Sequence, residues 1–313
     1  MCSSDPFMID ILLATYNGEK YIDTQISSIV NQSYSDWKLY IHDDGSSDST
    51  IEKIKLWTSR DSRIAFIEDG MTFHNPGMHF MHLLKFSKSE LVCFSDQDDL
   101  WLEYKLQRMF ESFDRQRKNP YLLVSNCYLW NIENKTIIPK VNFNQAYSLE
   151  EFLFLNGGLQ GCAMMFNSEL RNIALSRNVE NLYMHDYLIS LIAFTFGKVK
   201  YLSENLFLYR QYENNVSVHI EINKNQYRKR ILKNRKIPVV FAPAYKNIMS
   251  FYQIFKNEID ESKKKVFKRY LELKDKNSIA RFFRVFFSKF SLGKNGHKKL
   301  VLKMILRKFW RES

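Results

Sequence analysis

Cysteine, proline and glycine are scarce in this chain of 313 residues, at 4, 6 and 10. Cys2, Cys93, Cys127 and Cys162 are too few and too scattered for a disulfide framework, and no two form a CxxC pair that would hold zinc. Cys93 lies in an apolar run and reads as a small buried hydrophobe. No segment approaches the ~18 consecutive apolar residues of a membrane span, since even residues 188–196 are interrupted by Ser190 and Thr195. The first residues carry Asp5 and Asp10 and no basic stretch leading into a long apolar one, so a signal peptide is not expected. These absences point to a reduced, cytoplasmic chain. Internal repeats and low-complexity linkers are also missing.

Acidic residues are scarce at one end only. Residues 1–220 hold 20 Lys and Arg against 27 Asp and Glu, whereas residues 221–313 hold 26 against 7. The net charge of +12 is therefore a mildly acidic body joined to a strongly basic tail. A composition 45% hydrophobic and 15% aromatic excludes wholesale disorder and leaves room for a sizeable core. The expected organisation is a body over residues 1–220, with halves of about 1–100 and 101–220, and a basic helical region over 221–313.

In the first hundred residues short apolar runs alternate with helical spacing. Residues 8–14 have strand length and stop at Asn17-Gly18; Tyr21, Ile22, Ile26, Ile29 and Val30 then recur as a helix face. Strands are expected at 37–41, 64–67 and 91–95, with helices between them. That alternation implies βαβ units and a mainly parallel sheet flanked by helices. Further on, strands are expected at 121–130, 161–166, 199–202 and 206–209. Helices are expected over 105–117, from His185-Asp186, and as one long element from about 244 to 274.

Ligands of parallel sheets bind beyond the carboxyl ends of the strands. Thr15-Tyr16-Asn17 follows the first strand, Asp43-Asp44 the second and Asp96-Gln97-Asp98-Asp99 the fourth. Clustered carboxylates are hard oxygen ligands suited to Mg²⁺ or Mn²⁺, ions that also bind phosphates. Turn and helix-cap roles compete with this in both aspartate segments, Asp99 as a cap for a helix through Trp101 and Leu106 among them, and Tyr16 competes as an ordinary surface tyrosine.

The run ILLATYNGEKYIDTQISSIVNQSYSDWKLYIHDDGSSDST, followed by FSDQDDLWLEYKL, resembles the nucleotide-binding half of the family 2 glycosyltransferases, which have the GT-A fold. The later MHDYLISLIAFTFGKVKYLSENLFLYRQYENNVS resembles their acceptor half, and together the match spans about residues 8–217. The resemblance implies transfer of a sugar from a nucleotide-sugar donor, assisted by Mg²⁺ or Mn²⁺. Carried over by position, it implies that Tyr16 and Asp44 contact the nucleobase, with Ala14 and Asp43 beside them. Asp96 and Gln97 would lie near the ribose or diphosphate, and Asp98 would ligate the metal. Trp101 and Gly161 would help form the acceptor-side pocket, and Asp186 would be the base that deprotonates the acceptor hydroxyl. His185 is open between a contact in that pocket and a packed helix tip. The segment FHNPGMHFMHLL departs from the family pattern, with His79 and His82 where Asn or Arg is common. Arg210 would meet a phosphate or pair with a neighbouring acid.

Within the family, ATYNGEKY, DQDDLW and the His-Asp opening the acceptor helix are most similar to bacterial rhamnosyltransferase-like members. That implies dTDP-L-rhamnose as donor and a polysaccharide or lipid-linked oligosaccharide as acceptor, with a UDP-galactose or UDP-glucose transferase of capsule or O-antigen synthesis as the alternative. In the tail, Phe282, Phe283, Phe286, Phe287 and Phe290 are interleaved with Arg281 and Arg284. Lys299, Lys303, Arg307 and Arg311 recur opposite Leu300, Val301, Met304, Ile305 and Trp310. Basic faces with apolar undersides suit helices lying on an anionic membrane, which implies an enzyme peripheral to the inner face of the cell membrane. Packing on the body is the competing account. A nucleic-acid binder is the competing class, but the charge is unaccompanied by any recognition motif, so no nucleic-acid partner is expected.

Overall fold

The computed structural model describes residues 7–114, 118–138, 145–157, 159–211, 238–292 and 296–310. Two compact units divide the chain. The first comprises Met1–Phe143, Leu159–Asn178 and Met184–Glu213; the second comprises Asn144–Gly158, Val179–Tyr183 and Asn214–Ser313. Beyond the basic region expected from residue 221, the second unit thus takes in two segments from the middle of the chain.

Among the described residues the first unit holds nine strands: β1 (Ile9–Thr15), β2 (Trp37–Asp43), β3 (Ile64–Ile67), β4 (Leu91–Ser95), β5 (Leu100–Trp101), β6 (Tyr121–Asn131), β7 (Thr136–Ile138), β8 (Met164–Asn167) and β9 (Lys198–Gln211). Their order in the sheet is β3-β2-β1-β4-β8-β6-β9-β5, with β7 paired to β6. The helices are α1 (Ile22–Val30), α2 (Thr50–Arg60), α3 (Pro76–Leu83), α4 (Lys105–Ser112), α5 (Leu149–Phe152), α6 (Ser168–Ser176), α7 (His185–Phe196), α8 (Ala242–Phe255), α9 (Glu261–Leu271), α10 (Ser278–Phe286) and α11 (His297–Leu306). Of these, α5 and α8 to α11 belong to the second unit.

The pairs β1–β2, β1–β4 and β2–β3 are parallel, in keeping with the alternation of strand and helix patterns. The other half is mixed. β8 runs antiparallel to both β4 and β6, while β6 and β9 are parallel. Central strands are covered on both faces, and β1 and β4 are accordingly apolar almost throughout. Asp10 is the exception in β1. It is buried, and its carboxylate accepts hydrogen bonds from the Ser87 and Ser89 hydroxyls and the Lys88 and Ser89 N–H groups, which ties the turn before β4 to the sheet.

Three expectations are corrected. The expected strands 199–202 and 206–209 are one element, β9, because β6 absorbs the polar Ser203-Glu204-Asn205 stretch through register shifts around Asn126. Leu100–Trp101 is a short strand and not the start of a helix; α4 begins at Lys105. The long helix of 244–274 is two, because Asp260 caps α9 by accepting from the Lys263 N–H.

The second unit is built on aromatic packing. Tyr270 meets Phe154, Tyr245, Phe309 and Phe290 at ring-centroid separations of 5.1, 5.8, 6.2 and 6.4 Å. Leu300, Val301, Met304 and Phe290, all assigned above to apolar faces, are buried. Ile279, Phe283, Phe286 and Phe287 are exposed around α10, as are Leu302 and Ile305 on α11. Arg311 and residues 212–217 of the acceptor-half motif lie outside the described residues.

Candidate active site

The carboxyl ends of β1, β2 and β4 carry the first cluster. Asp43 accepts from the Thr15 hydroxyl at 2.6 Å, from the Ser46 N–H at 2.6 Å and hydroxyl at 2.6 Å, and from the Gly45 N–H at 3.1 Å. The turn needs Gly45, whose φ is +86°. Asp43 is therefore consumed in shaping this turn, a role that competed with nucleobase contact. Asp44 accepts from the Phe73 N–H, and its own N–H donates to the Thr15 carbonyl. Tyr16 stands half exposed beside them, and Ala14 lies in register with His42 on β2. The Gln97 amide bridges the strand ends: its Oε1 accepts from the Tyr16 N–H at 2.9 Å and its Nε2 donates to the Tyr16 carbonyl at 3.0 Å. That amide positions the Tyr16 loop.

Beyond β4, Asp96 and Asp98 are partly exposed and Asp99 is fully buried. Neither carboxylate oxygen of Asp99 meets a nitrogen or oxygen donor, and the Cys162 thiol is its weak hydrogen-bonding neighbour. Loss of hydration, followed by the charge of Asp98, raises Asp96 to about 6. Burial, with Asp96 and Asp98 nearby, raises Asp99 well above the carboxylate range. The cluster is thus short of positive charge. Its counter-charge is Lys105, which the sequence reading did not single out because it opens α4 as an ordinary helix lysine. It is fully buried; Nζ donates to the Cys162 carbonyl at 2.7 Å and lies 3.6 Å from the Trp101 ring centroid and 4.4 Å from that of Phe207. Burial lowers it to about 8. Trp101, expected to shape the acceptor pocket, is 2% exposed and forms a wall against which Lys105 packs.

Mg²⁺ or Mn²⁺ fits this donor set. Asp96, Asp99 and Cys162 bring ligand atoms within 4.8 Å of one another, a group that does not include Asp98, and the Asp99 oxygens lack any strong donor. Burial holds the Cys162 thiol protonated, so the hard carboxylate oxygens are the suitable ligands. Arg210 supports the loop from below. Nε donates to the Asp98 backbone carbonyl at 2.7 Å, while the guanidinium lies over Tyr21 and Trp130 at 4.4 and 4.2 Å.

The second cluster forms where α7 meets the short 3₁₀ turn Gly161–Ala163. Asp186 sits in the first turn of α7. Burial raises its carboxyl to about 7, the N–H groups of Tyr187 and Gly161 draw it down, and the charge of Asp96 pushes it up. The charge of Asp96 is thus felt at Asp186. Gly161 makes the approach possible: a Cβ there would stand 2.7 Å from His185 Nε2. His185 is the packed helix tip, stacked on Phe80 at 4.0 Å and edge-on to Phe94 at 4.7 Å. Burial lowers it to about 3, so the ring is neutral, and neither nitrogen has a hydrogen-bond partner.

Comparison with known proteins gives this geometry a class. Residues 10–172 match the family model Glycosyl transferase family 2. The chain belongs to that family, and its activity is glycosyl transfer from a nucleotide-sugar donor. It is 28% identical over 243 residues to the dTDP-rhamnosyl transferase RfbG of Shigella flexneri, covering 71% of this chain and 80% of that one. It is 33% identical over 145 residues to WfgD of Escherichia coli, a UDP-Glc:alpha-D-GlcNAc-diphosphoundecaprenol beta-1,3-glucosyltransferase, covering 45% of this chain and 55% of that one. Among solved structures, S. aureus TarS 1-349 in complex with UDP-GlcNAc matches at a TM-score of 0.57, with 16% identity over 95% of this chain and 79% of that one. The mannosyltransferase PcManGT of Pyrobaculum calidifontis, in complex with GDP-Man and Mn²⁺, matches at 0.53, with 14% identity over 94% and 78%. These structural likenesses show the GT-A fold.

Proposed function

We propose that the chain is an inverting glycosyltransferase that moves L-rhamnose from dTDP-L-rhamnose to a hydroxyl of a growing, lipid-linked cell-surface polysaccharide. The single observation that carries the mechanism is Asp186, a partly buried carboxylate in the first turn of α7 whose carboxyl feels the charge of Asp96. Similarity to RfbG supports the choice of rhamnose. The similarity to WfgD supports the alternative, a UDP-hexose donor with a diphosphoundecaprenol-linked acceptor.

In this reading Tyr16 and Asp44 hold the nucleobase, and Asp96 and Asp98 lie along the diphosphate. Asp98, with Asp96 and Asp99 beside it, would hold Mg²⁺ or Mn²⁺, which would supply positive charge for the leaving diphosphate. Asp186 accepts the proton of the acceptor hydroxyl as that oxygen attacks the anomeric carbon. One displacement inverts the anomeric configuration. Gly161 leaves room for the acceptor-side chain to approach. Nucleoside diphosphate release from dTDP-rhamnose, UDP-glucose and UDP-galactose tests the donor. The expected preference is dTDP-rhamnose, and preferential turnover of a UDP-hexose would replace it with the alternative.

A base must be ionised to work. With Asp186 raised to about 7, kcat/KM is expected to climb about tenfold per pH unit below 7 and level off above it. A profile flat from pH 5 to 8 would contradict the assignment.

We place the working chain at the inner face of the membrane, the catalytic body spanning residues 1–220 and the basic region 221–313. No helix among the described residues is long and apolar enough to cross a membrane. Support comes from the exposed Ile279, Phe283, Phe286 and Phe287, followed in the chain by the exposed Lys289 and Lys298. Rings of this kind insert into the headgroup boundary while the cations meet anionic lipid. The full chain is expected to sediment with phosphatidylglycerol vesicles, and Phe283→Asp with Phe287→Asp to weaken this about 100-fold. Failure of the unsubstituted chain to sediment at moderate salt would refute docking.

A further inference from the structure

At the far side of β2 from the carboxylate cluster lies a group of side chains that the transfer reaction does not use. His42, near the end of β2, directs Nε2 to Asp69 Oδ1 at 3.0 Å. His82, in α3, directs Nε2 to Asp69 Oδ2 at 2.7 Å. Behind His42 stands His79, with Nε2 at 2.7 Å from His42 Nδ1. The ligand atoms of His42, Asp69 and His82 all lie within 4.8 Å of one another. His42 and His79 are buried, His82 is nearly so, and Asp69 is reached by solvent.

We propose that His42, Asp69 and His82 form a second metal site, selective for a divalent transition metal such as Zn²⁺ and separate from the diphosphate-binding carboxylates. Two imidazoles and one carboxylate are a borderline-soft donor set that suits Zn²⁺ better than Mg²⁺. A tetrahedral ion with bonds of ~2.0–2.1 Å holds its ligand atoms roughly 3.3 Å apart. With His42 on Oδ1 at 3.0 Å, His82 on Oδ2 at 2.7 Å and one ligand atom of each residue within 4.8 Å of the others, side-chain rotations would bring the three onto one ion. His79 is the supporting group. With the His42 proton on Nδ1 and donated to His79 Nε2, His42 Nε2 presents its lone pair to the ion, the usual orientation of a ligating histidine by an outer partner. His82 reaches the same state by carrying its proton on Nδ1. Asp69 leaves its second oxygen or a water for the remaining coordination.

The site has a physical reason to matter. Asp69 also accepts from the Met71 N–H at 3.0 Å, and two residues on, the Phe73 N–H donates to Asp44. An ion at Asp69 would pin the segment 69–73, and with it the hydrogen bond that fixes Asp44. Its role would be to brace that carboxylate.

The test uses the full chain purified without a polyhistidine tag, dialysed against Zn²⁺ and analysed for metal content, with Co²⁺ absorption as a geometric readout. One equivalent of Zn²⁺ is expected, with a tetrahedral Co²⁺ spectrum. Asp69→Ala and His82→Ala should lose both signals, and His79→Ala should weaken binding by about 10–100-fold. Asp98→Ala should retain the equivalent, which separates this site from the carboxylate cluster and from any failure of the proposed transferase reaction. His82 is at the surface end of the group, so His82→Gln serves as a variant whose folding, checked by circular dichroism, is not at risk. No saturable Zn²⁺ binding, or binding undiminished in folded Asp69→Ala and His82→Gln, would overturn the proposal and leave the group a hydrogen-bonded network.

Discussion

Asp186→Asn is expected to lower kcat by about 10²–10⁴-fold, the range for removal of a general base, while the affinity for the nucleoside diphosphate stays unchanged. Asparagine has nearly the same shape, and its side-chain oxygen can still accept from the Gly161 and Tyr187 N–H groups that act on Asp186. What it cannot do is take a proton. The variant also carries its own folding control. A carboxyl raised from 3.8 to about 7 in the folded chain binds more protons there than in the unfolded chain between those values. Stability from this group is therefore lost as pH rises from about 4 to about 7. Asparagine removes that loss, so at pH 8 the variant should melt no lower than the parent chain. Full turnover in Asp186→Asn would eliminate it as the base, and a lowered Tm would assign the defect to folding.

Lys105→Ala is expected to carry the largest stability cost, about 3–5 kcal/mol. The substitution empties the space against Trp101 and Phe207, leaves the Cys162 carbonyl without its buried donor, and removes the nearest positive charge from Asp99. For a chain of this size that corresponds to roughly 5–8 °C in Tm. Lys105→Met refills the volume and should cost less, and the difference between the two separates packing from charge. A change of Tm below about 2 °C for Lys105→Ala would mean that the amine is not held as described.

The sheet ends were legible because apolar runs of strand length stop at polar clusters, and a parallel arrangement brings successive strand ends to one edge. What the sequence did not carry was direction. Nothing in Met164–Asn167 distinguishes an antiparallel insertion between β4 and β6 from another parallel strand. Helix length was misjudged at Asp260, although an Asp three residues before Lys263 is a readable cap. In the site, Asp186 stood out only through resemblance, since a carboxylate in a first helical turn is ordinarily a favourable charge at the helix dipole. Asp43 illustrates the opposite case: two adjacent aspartates suggested ligand contact, and four hydrogen bonds show one of them shaping the turn. Lys105 and His42 gave no signal because burial of a single polar residue in an amphipathic helix or a strand is decided by tertiary packing. Alternation at Trp37–Asp43 says which face a residue takes, not which partners wait there.

The central claim is that the chain cleaves a nucleotide sugar at the anomeric carbon and passes the sugar to a hydroxyl. The most direct measurement is product identification after incubation with dTDP-rhamnose, Mn²⁺ and a diphosphoundecaprenol-linked oligosaccharide pool. The account predicts nucleoside diphosphate together with a lipid-linked product heavier by one sugar and inverted at its anomeric carbon. Release of sugar phosphate with nucleoside monophosphate would contradict it, because that outcome places the bond cleaved within the diphosphate.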